Sequence, residues 1–497
     1  LRSYLVALPD LLAVPAEGIT LGEEVADLLD GVLDVLSSLG DVRDDDDRRR
    51  VMDRLGGLGS DFRDRVYAGP GGRSATVPAA RVTALLDTAL AVVEDALRAN
   101  RRPDGLFHSY NLLDLKPESA SVRHLPLMLE GQVAVLASGL LSTEESLEVL
   151  RALRASSLYR PDRGTYQLYP DRSLPGFVER NVLPPETVAR CPLIGLLVER
   201  GDRSVVVRDV TGDHHFAGGM ANAGEVRLAL TRLGADPALA RAVRRDGETL
   251  LEIYEQVFRH REFTGRSGSF FGYEGLGSVY WHMVAKLQLT VLETYQRAVD
   301  EGAPEHVATG LAQRYRDVRA GLGFTRSCAE FGAFPTDPHS HTPAGGGARQ
   351  PGMTGQVKES ILARFGELGL LVRDGRIVFV PPLLAEDEWA AAPTRLDYPD
   401  VAGHRCSLPV PADALAFTFC QVPVLYRNGG GPGATVPTGD GPLVTVHQGD
   451  GSRLAFPGGV LDPDLSAAVF RRDGRVRLIE VLVPGHGHDA AGRGPGS

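Results

Sequence analysis

The sequence predicts a mainly α fold, an (α/α) toroid followed by a small antiparallel β domain. Apolar residues recur at helical spacing through most of the first four-fifths of this 497-residue chain. Long loops rich in glycine and proline separate these helices, and after Gly369 the pattern changes to strand-like alternation. In such a toroid, inner helices surround a concave pocket and the loops at their ends supply the chemistry.

The helical pattern is clearest where start and stop signals flank an apolar stripe. Asp236 with Pro237 predicts the beginning of one helix, and Ser142 with Glu145 forms a capping box before another. Further helices are expected over Val82–Leu97, over the stretch with Met283, Leu287, Val291 and Tyr295 four apart, and from a Thr354 cap to a Gly369 stop. The charge run from Arg43 to Arg50 is typical of a solvated helix start or loop.

The β region is predicted from alternating runs joined by Asp-Gly pairs. Asp374-Gly375 is the strongest hairpin signal, and Asp-Gly pairs at 450–451 and 473–474 continue the pattern. The expected segments are a helical extension at 1–75, a toroid with site loops at 76–370, an antiparallel β domain at 371–483 and a disordered tail at 484–497.

Composition excludes several classes of function. The balance of 53 basic against 64 acidic residues gives a net charge of −11, which disfavours generic binding to nucleic acid or anionic membrane. No apolar run approaches the roughly 18 residues of a membrane span. Four cysteines without C-x-x-C spacing favour a reducing cytoplasm over a disulfide framework. The excess of Arg over Lys, with abundant Ala and Gly, is typical of a GC-rich bacterial genome.

Three loops are richer in polar and aromatic groups than a scaffold requires. The first, 102–115, carries Asp104, His108, Tyr110 and Asn111, which are candidate substrate-binding residues. The second, 265–287, groups aromatic rings around one carboxylate. The third, 330–360, joins histidines, a glycine triplet and the start of a helix.

The second loop fits a sugar. Pyranose C–H faces stack on aromatic rings, and a carboxyl held among such rings has a raised pKa that suits a general acid. Glu274 is that candidate acid, and the proposed sugar contacts are Phe271, Tyr273, Tyr280, Trp281 and His282. The alternative is that these rings close a core where a loop meets a helix.

The third loop fits an oxyanion such as phosphate, because glycines and a helix N-terminus expose backbone N–H groups. The candidate phosphate ligands are His339, His341, Arg349, Gln350, Thr354 and Gly355. Thr354 could instead only cap its helix, and His339 with His341 could hold a metal, although no third ligand is evident. Asp213, His214 and His215 are better explained by a turn at a strand end than by a metal site.

Other signatures are missing from the sequence. It has no G-x-x-x-x-G-K-[ST], H-E-x-x-H or G-x-S-x-G motif, and "GYEGLG" lacks the strand that precedes a dinucleotide fingerprint. We therefore expect no metal or cofactor, with inorganic phosphate at most a co-substrate.

The helical scaffold, the loop "GYEGLGSVYWHM" and the β region together resemble the six-hairpin glycosidase-like superfamily, in particular its glycoside phosphorylases and inverting hydrolases. The resemblance implies an (α/α)6 toroid, a β-rich accessory domain and cleavage of a glycosidic bond by one general acid. "GARQPGMTGQ" is similar in character to the phosphate-binding loops of those enzymes. The resemblance covers roughly residues 80–480 and carries no diagnostic motif.

The predicted function is inverting phosphorolysis of an oligosaccharide. Glu274 is the first choice for the acid and Asp337 the second, with Asp104, Glu130 and Glu330 as further carboxylates. Inverting hydrolysis, which needs a second carboxylate, and a non-catalytic carbohydrate-binding subunit are the alternatives. An isomerase or lyase that uses His108 and His282 is a further alternative function. An oligosaccharide is the expected partner, and a homo-oligomer is compatible with the sequence.

Overall fold

The structure is a computed structural model. It describes residues 1–12, 14–15, 17–39, 44–69, 71–170, 176–258, 279–323, 341–342, 356–380, 383–384, 388–429 and 441–483. About half of these residues are helical and the sheets are small, so the predicted mainly α character is confirmed. The toroid itself stays a prediction. Within the described ranges, no helix has the length and apolar character needed to cross a membrane.

The helices are α1 Arg2–Leu12, α2 Glu23–Ser37, α3 Asp45–Tyr67, α4 Ala79–Arg98, α5 Leu129–Ala137, α6 Thr143–Ala155, α7 Phe177–Arg180, α8 Pro185–Arg190, α9 Pro192–Glu199, α10 Ala223–Gly234, α11 Pro237–Phe258, α12 Trp281–Asp300, α13 Glu305–Gly321, α14 Gln356–Glu367 and α15 Pro463–Arg471.

The strands are β1 Ile19–Gly22, β2 Ser74–Val77, β3 Asn111–Leu115, β4 Ala120–His124, β5 Tyr159–Arg160, β6 Thr165–Tyr166, β7 Val206–Arg208, β8 His214–Phe216, β9 Val279–Tyr280, β10 His341–Thr342, β11 Leu370–Arg373, β12 Arg376–Phe379, β13 Thr394–Pro399, β14 Arg405–Val410, β15 Ala414–Phe419, β16 Val422–Asn428, β17 Leu443–Gln448, β18 Arg453–Phe456 and β19 Val476–Val483.

The chain divides into two compact units, and each is built from more than one stretch of sequence. One comprises Leu1–Ser142, Glu148–Met283 and Thr325–Pro351, and the other comprises Thr143–Leu147, Val284–Phe324 and Gly352–Ser497. The predicted segment boundaries follow sequence order and stay a prediction.

The first unit contains a small core formed by α1, α2 and α4 with the β1–β2 pair. Leu5, Ala26, Val77, Val82 and Leu86 form its buried centre. The apolar spacing that predicted α4 therefore marks the face that this helix buries. Helix α3 starts inside the charge run, where the Asp44 side chain accepts a 2.7 Å hydrogen bond from the Asp47 backbone N–H, which confirms the solvated helix start.

A second core in the first unit lies within residues 183–258 and is formed by α8–α11 with the β7–β8 hairpin. Helix α11 begins at Pro237 as predicted, and the Asp236 carboxylate accepts a 2.9 Å hydrogen bond from the Ala238 N–H. Asp246, only 5% exposed, accepts a 2.9 Å hydrogen bond from the Leu193 N–H in the first turn of α9. A carboxylate on α11 thus satisfies a free donor of α9 and holds the two helices together.

In the second unit, helices α12, α13 and α14 share a buried polar network centred on Glu367, which is 3% exposed. Its carboxylate accepts hydrogen bonds from the Tyr315 hydroxyl at 2.6 Å and Arg364 at 2.8 Å, and pairs with Arg319 at 2.6 Å. Two cations and one hydroxyl compensate for the cost of burying this charge.

The β-rich part of the second unit contains the predicted hairpin. Asp374 and Gly375 both have positive φ, 49° and 73°, as a two-residue turn between β11 and β12 requires. Among the described residues, five strands form a sheet in the order β15-β16-β19-β17-β18, packed around a buried cluster that includes Val424, Val444 and Ile479.

Two features of this sheet differ from the prediction. Strands β16 and β19 pair in parallel, so the β region is not purely antiparallel. The run before Asp473-Gly474, expected as a strand, is helix α15, because Asp462 accepts a 2.7 Å hydrogen bond from the Leu465 N–H and Pro463 starts the first turn. That Asp-Gly pair therefore joins a helix to β19, and the helix forms part of the crossover that a parallel pair needs.

Candidate functional site

The first predicted site loop leaves α4 through a tight turn that Asp104 stabilises. Arg102 donates to both carboxylate oxygens of Asp104 at 2.9–3.2 Å, and the Leu106 N–H donates at 3.2 Å. The Arg102 guanidinium thereby holds the pKa of Asp104 below its usual range. An ionised, paired carboxylate can accept hydrogen bonds from sugar hydroxyls, but it is a poor general acid.

Gln132 of α5 fixes the backbone of this loop just before the predicted site residues. Its side chain is completely buried, accepts a 2.9 Å hydrogen bond from the Phe107 N–H and donates a 2.7 Å hydrogen bond to the Phe107 carbonyl. Gln132 is not among the residues predicted for the site. The available signal was a lone amide among the apolar residues of "LEGQVAVLA".

The His108 and His124 rings form a stacked pair. Their centroids are 3.9 Å apart and the planes differ by 8°. Burial lowers the pKa of His108, and the neighbouring charge of His124 lowers it further. The lowered pKa keeps the His108 imidazole neutral at neutral pH, so this ring can take part in hydrogen bonds without carrying a charge.

Asn111 connects this pair to the residues that follow α4. The Asn111 side-chain oxygen lies 2.7 Å from His124 Nδ1, and its amide nitrogen donates a 3.0 Å hydrogen bond to Asn100. Asn111 and His124 are also Cα partners at the ends of the β3–β4 hairpin. His124 was missed from the sequence, although Pro117 between two alternating runs indicates the turn that places it opposite Asn111.

Tyr110 reaches the N-terminal turn of α5. Its hydroxyl donates a 2.7 Å hydrogen bond to Glu130, one of the further carboxylates considered from the sequence. Gly131 is required here, because a side chain at this position would meet Ser109 Oγ at 2.2 Å. The structure therefore brings His108, Tyr110 and Asn111 together with His124 and Glu130. This array of amide, imidazole, phenol and carboxylate groups suits a hydroxyl-rich ligand.

Only the end of the second loop lies within the described residues. The Tyr280 hydroxyl is 3.4 Å from His282 Nδ1, and the two rings meet edge to face. Trp281 is 2% exposed, which favours the alternative that this ring packs in a core, and its sugar contact stays a prediction. Glu274, Phe271 and Tyr273 lie outside the described residues.

For the third loop, the described part is β10. It pairs antiparallel with β9, so that His341 is the Cα partner of Tyr280 and Thr342 that of Val279. Asp337, the proposed second acid, lies outside the described residues, as do the proposed phosphate ligands His339, Arg349, Gln350, Thr354 and Gly355. The helix expected from Thr354 is α14, which begins at Gln356 and ends before Gly369, a glycine with φ +67°.

The "TGDHHF" segment forms the β7–β8 hairpin, as a strand-end turn predicts. His215 is within hydrogen-bond distance of the Asn181 carbonyl through Nδ1 and of Asp209 through Nε2, the latter at 3.1 Å. Burial lowers the pKa of His215, but these two acceptors raise it more, and the net shift is upward. Both ring nitrogens act as donors, which describes a structural imidazolium. No three His, Cys, Asp or Glu side chains are grouped for a metal ion in the described ranges.

Comparison with known protein families adds one finding. Residues 174–261 match the family model described as GH149 phosphorylase insertion domain 2. The second core of the first unit lies inside these limits, so the match covers a segment with its own packed interior. This match supports a glycoside phosphorylase-type carbohydrate enzyme. It agrees with the resemblance drawn from the sequence as to the type of enzyme. Comparison with curated proteins gives no match.

Proposed function

We propose that this protein cleaves a glycosidic bond of an oligosaccharide with inorganic phosphate, releasing a sugar 1-phosphate with inversion at the anomeric carbon. The observation that carries the proposal is the match of residues 174–261 to an insertion domain of a phosphorylase family. The matched segment ends just before Gly265, where the aromatic stretch that carries Glu274 begins. We also propose that the helices form an (α/α)6 toroid and that the protein works in the bacterial cytoplasm.

In the proposed reaction, Glu274 donates its proton to the glycosidic oxygen while a phosphate oxygen attacks the anomeric carbon from the opposite face. The C–O bond to the leaving sugar breaks, and its electrons remain on the oxygen that receives the proton. Phosphate is itself the nucleophile, so no second carboxylate is needed to activate water. Asp337 is the second candidate for the acid.

The pairing of β9 with β10 supports convergence of the predicted sugar and phosphate loops. Tyr280 follows Glu274 by six residues, and its Cα partner His341 follows His339 by two. Six extended residues span at most about 20 Å, so this pairing limits the distance between Glu274 and His339, whereas it sets no such limit for Arg349, Gln350, Thr354 and Gly355, which lie further along the chain.

The hydrogen-bond array around His108, Tyr110 and Asn111 supports an oligosaccharide as the ligand. Its side chains offer directional donors and acceptors, including the Glu130 carboxylate, and the carboxylate of Asp104, paired with Arg102, lies in the same loop. We propose that this array contacts sugar hydroxyls. A paired Asp104 binds without donating a proton, so we retain Glu274 as the proposed acid and Asp337 as the second candidate, with Glu130 and Glu330 as further carboxylates.

A substrate screen tests the proposal. α- and β-linked oligosaccharides are incubated with the full chain, with and without phosphate, and glucose 1-phosphate and free sugar are measured separately. Phosphate-dependent glucose 1-phosphate is the expected product. Cleavage that is independent of phosphate would indicate the inverting hydrolase. Binding by calorimetry without any product would indicate the non-catalytic subunit.

A further inference from the structure

His124 lies at the end of a chain of hydrogen bonds whose direction is set by a backbone carbonyl. The side-chain nitrogen of Asn100 lies 2.7 Å from the carbonyl oxygen of Ala96, in the last turn of α4. A carbonyl oxygen can only accept a hydrogen bond, so Asn100 presents its NH2 group to Ala96 and its side-chain oxygen to the next member of the chain. The orientation of this amide therefore follows from the backbone.

The same argument orients Asn111 and then His124. The side-chain oxygen of Asn100 lies 3.0 Å from the side-chain nitrogen of Asn111, which donates to it. The side-chain oxygen of Asn111 therefore faces Nδ1 of His124, at 2.7 Å. Because this oxygen carries no hydrogen, Nδ1 of His124 is the donor and holds the ring proton. A neutral His124 thus has its lone pair on Nε2.

Stacking holds the plane of the His124 ring. The His108 ring lies against it with centroids 3.9 Å apart and an angle of 8° between the planes. The His108 backbone N–H also donates a 2.9 Å hydrogen bond to the Asn100 carbonyl, so both rings are anchored to the same residue. The stacking fixes the ring plane, and the hydrogen bond to Asn111 fixes the rotation within that plane. The direction of the Nε2 lone pair is therefore set before a ligand binds.

Nε2 of His124 is accessible to a ligand. His124 is exposed, and its Nε2 makes no hydrogen bond with the residues that the structure describes. An unprotonated ring nitrogen requires a donor, and a sugar hydroxyl is one. A fully ionised phosphate offers only acceptor oxygens, so it would face this lone pair without a hydrogen to share. The direction of the hydrogen bonds thus favours a hydroxyl over phosphate.

We propose that His124 binds the substrate by accepting a hydrogen bond from a hydroxyl group at Nε2. That this hydroxyl belongs to an oligosaccharide rests on the proposed function, whereas the position of the ring proton does not. The proposal also separates the two ligands of the proposed reaction, because it assigns the first loop to sugar and not to phosphate.

The position of the proton can be measured directly. Two-bond ¹H–¹⁵N NMR spectra distinguish protonated from unprotonated ring nitrogens, and they are recorded on the full chain at pH 8, above the ordinary imidazole pKa of about 6.5. The signals of His124 are those that disappear in His124→Asn. The expected spectrum has the proton on Nδ1 and an unprotonated Nε2. A neutral His124 with its proton on Nε2 would overturn the proposal.

Titration in the same buffer, free of phosphate, tests the ligand. At least one short α- or β-linked oligosaccharide should shift the Nε2 signal of His124, whereas inorganic phosphate alone should not. His124→Asn keeps a donor for Asn111 but removes the acceptor, so the dissociation constant of that oligosaccharide should rise about tenfold. His124→Gln places an amide oxygen near the position of Nε2 and should recover part of the affinity.

His306→Asn is the matched control, since His306 is an exposed histidine on α13, and it should bind the oligosaccharide as wild type does. Equal affinity of His124→Asn and wild type, or an Nε2 signal that no oligosaccharide shifts, would overturn the proposal. Turnover with phosphate is measured on the same proteins. Phosphorolysis with an unshifted Nε2 signal rejects the role of His124 alone, whereas an Nε2 shift without consumption of phosphate rejects phosphorolysis alone.

Discussion

Tyr280 and His341 are Cα partners in the antiparallel pairing of β9 with β10. The two residues come from the loops that the sequence assigns to sugar and to phosphate, respectively. A sheet contact between these loops is compatible with the proposed shared cavity, and it provides a test that does not depend on knowing the substrate.

The pairing predicts a disulfide between substituted partners. In the double variant Val279→Cys/Thr342→Cys, the Cα atoms of cross-strand partners lie about 4.5–5.5 Å apart, within the range for a disulfide. Mild oxidation should cross-link these positions, as peptide mapping by mass spectrometry detects. The control pair Val279→Cys/Glu301→Cys should remain unlinked. Absence of the cross-link in the first pair would contradict the β9–β10 register.

Glu274→Gln should lower kcat at least about 100-fold, because general acid catalysis typically contributes that much. The amide keeps the size of the side chain but has no proton to donate, so the melting temperature should stay within a degree or so of wild type. Glu301→Gln, at an exposed position after α12, is the control and should keep full activity. Full turnover by Glu274→Gln would remove Glu274 from the mechanism and leave Asp337→Asn as the next variant.

The His215–Asp209 pair predicts a stability that depends on pH. The pKa of His215 is raised above its ordinary 6.5, so its contribution is fully present below pH 6.5 and is lost as pH rises through the folded value. The hydrogen bond from Thr211 is the largest cause that lowers the pKa of Asp209 below its ordinary 3.8, and the hydrogen bond from His215 lowers it further. The contribution of Asp209 to stability is therefore present above pH 3.8 and is lost as the pH falls through the folded value. The pair therefore stabilises residues 174–261 most between pH 3.8 and pH 6.5.

Thermal melts from pH 5 to pH 8 check this prediction. The wild-type melting temperature should fall through the upper part of this range, and His215→Gln should flatten that fall because glutamine does not titrate. The neighbouring His214→Gln is the control, and it should leave the profile unchanged. Parallel profiles for wild type and His215→Gln would show that the pair does not set the pH dependence.

Glu367→Ala should destabilise the second unit by about 2 kcal/mol, the cost typical of a buried hydrogen-bonding group left without its partner. The Tyr315 hydroxyl would lose its acceptor, and Arg319 and Arg364 would lose Glu367 but retain Glu388 as a counterion. Glu388, 18% exposed, pairs with the same two arginines at 3.7 and 2.6 Å, so Glu388→Ala should cost less than half as much. Urea unfolding measures the free energy of unfolding of both variants. Equal losses of stability in the two variants would argue against Glu367 as the centre of the network.

The sequence predicted elements whose signals are local. Asp236-Pro237 begins α11, and Asp374-Gly375 forms the β11–β12 turn, because each signal reports the backbone geometry of its own residues. The weak alternation of "AAVFRR" predicts a strand, but the structure has helix α15 there, and the Asp462-Pro463 pair that begins it is the local signal for a helix. The parallel pairing of β16 with β19 depends on a long-range contact that no local pattern encodes.

The candidate site was predicted in part for the same reason. His108, Tyr110 and Asn111 are close in sequence, and their grouping followed from their spacing. Their partners His124 and Glu130 come from the opposite strand and the next helix, so their roles depend on the β3–β4 register and on Gly131. Gln132 could not be predicted from the sequence, because its role depends on two hydrogen bonds to the Phe107 backbone that only the folded structure shows.

The most direct test of the central claim is the fate of phosphate during turnover. Phosphorus NMR of the full chain with a cleaved oligosaccharide should show inorganic phosphate converted to a sugar 1-phosphate, one molecule for each glycosidic bond broken. Release of free reducing sugar with the phosphate signal unchanged would contradict phosphorolysis.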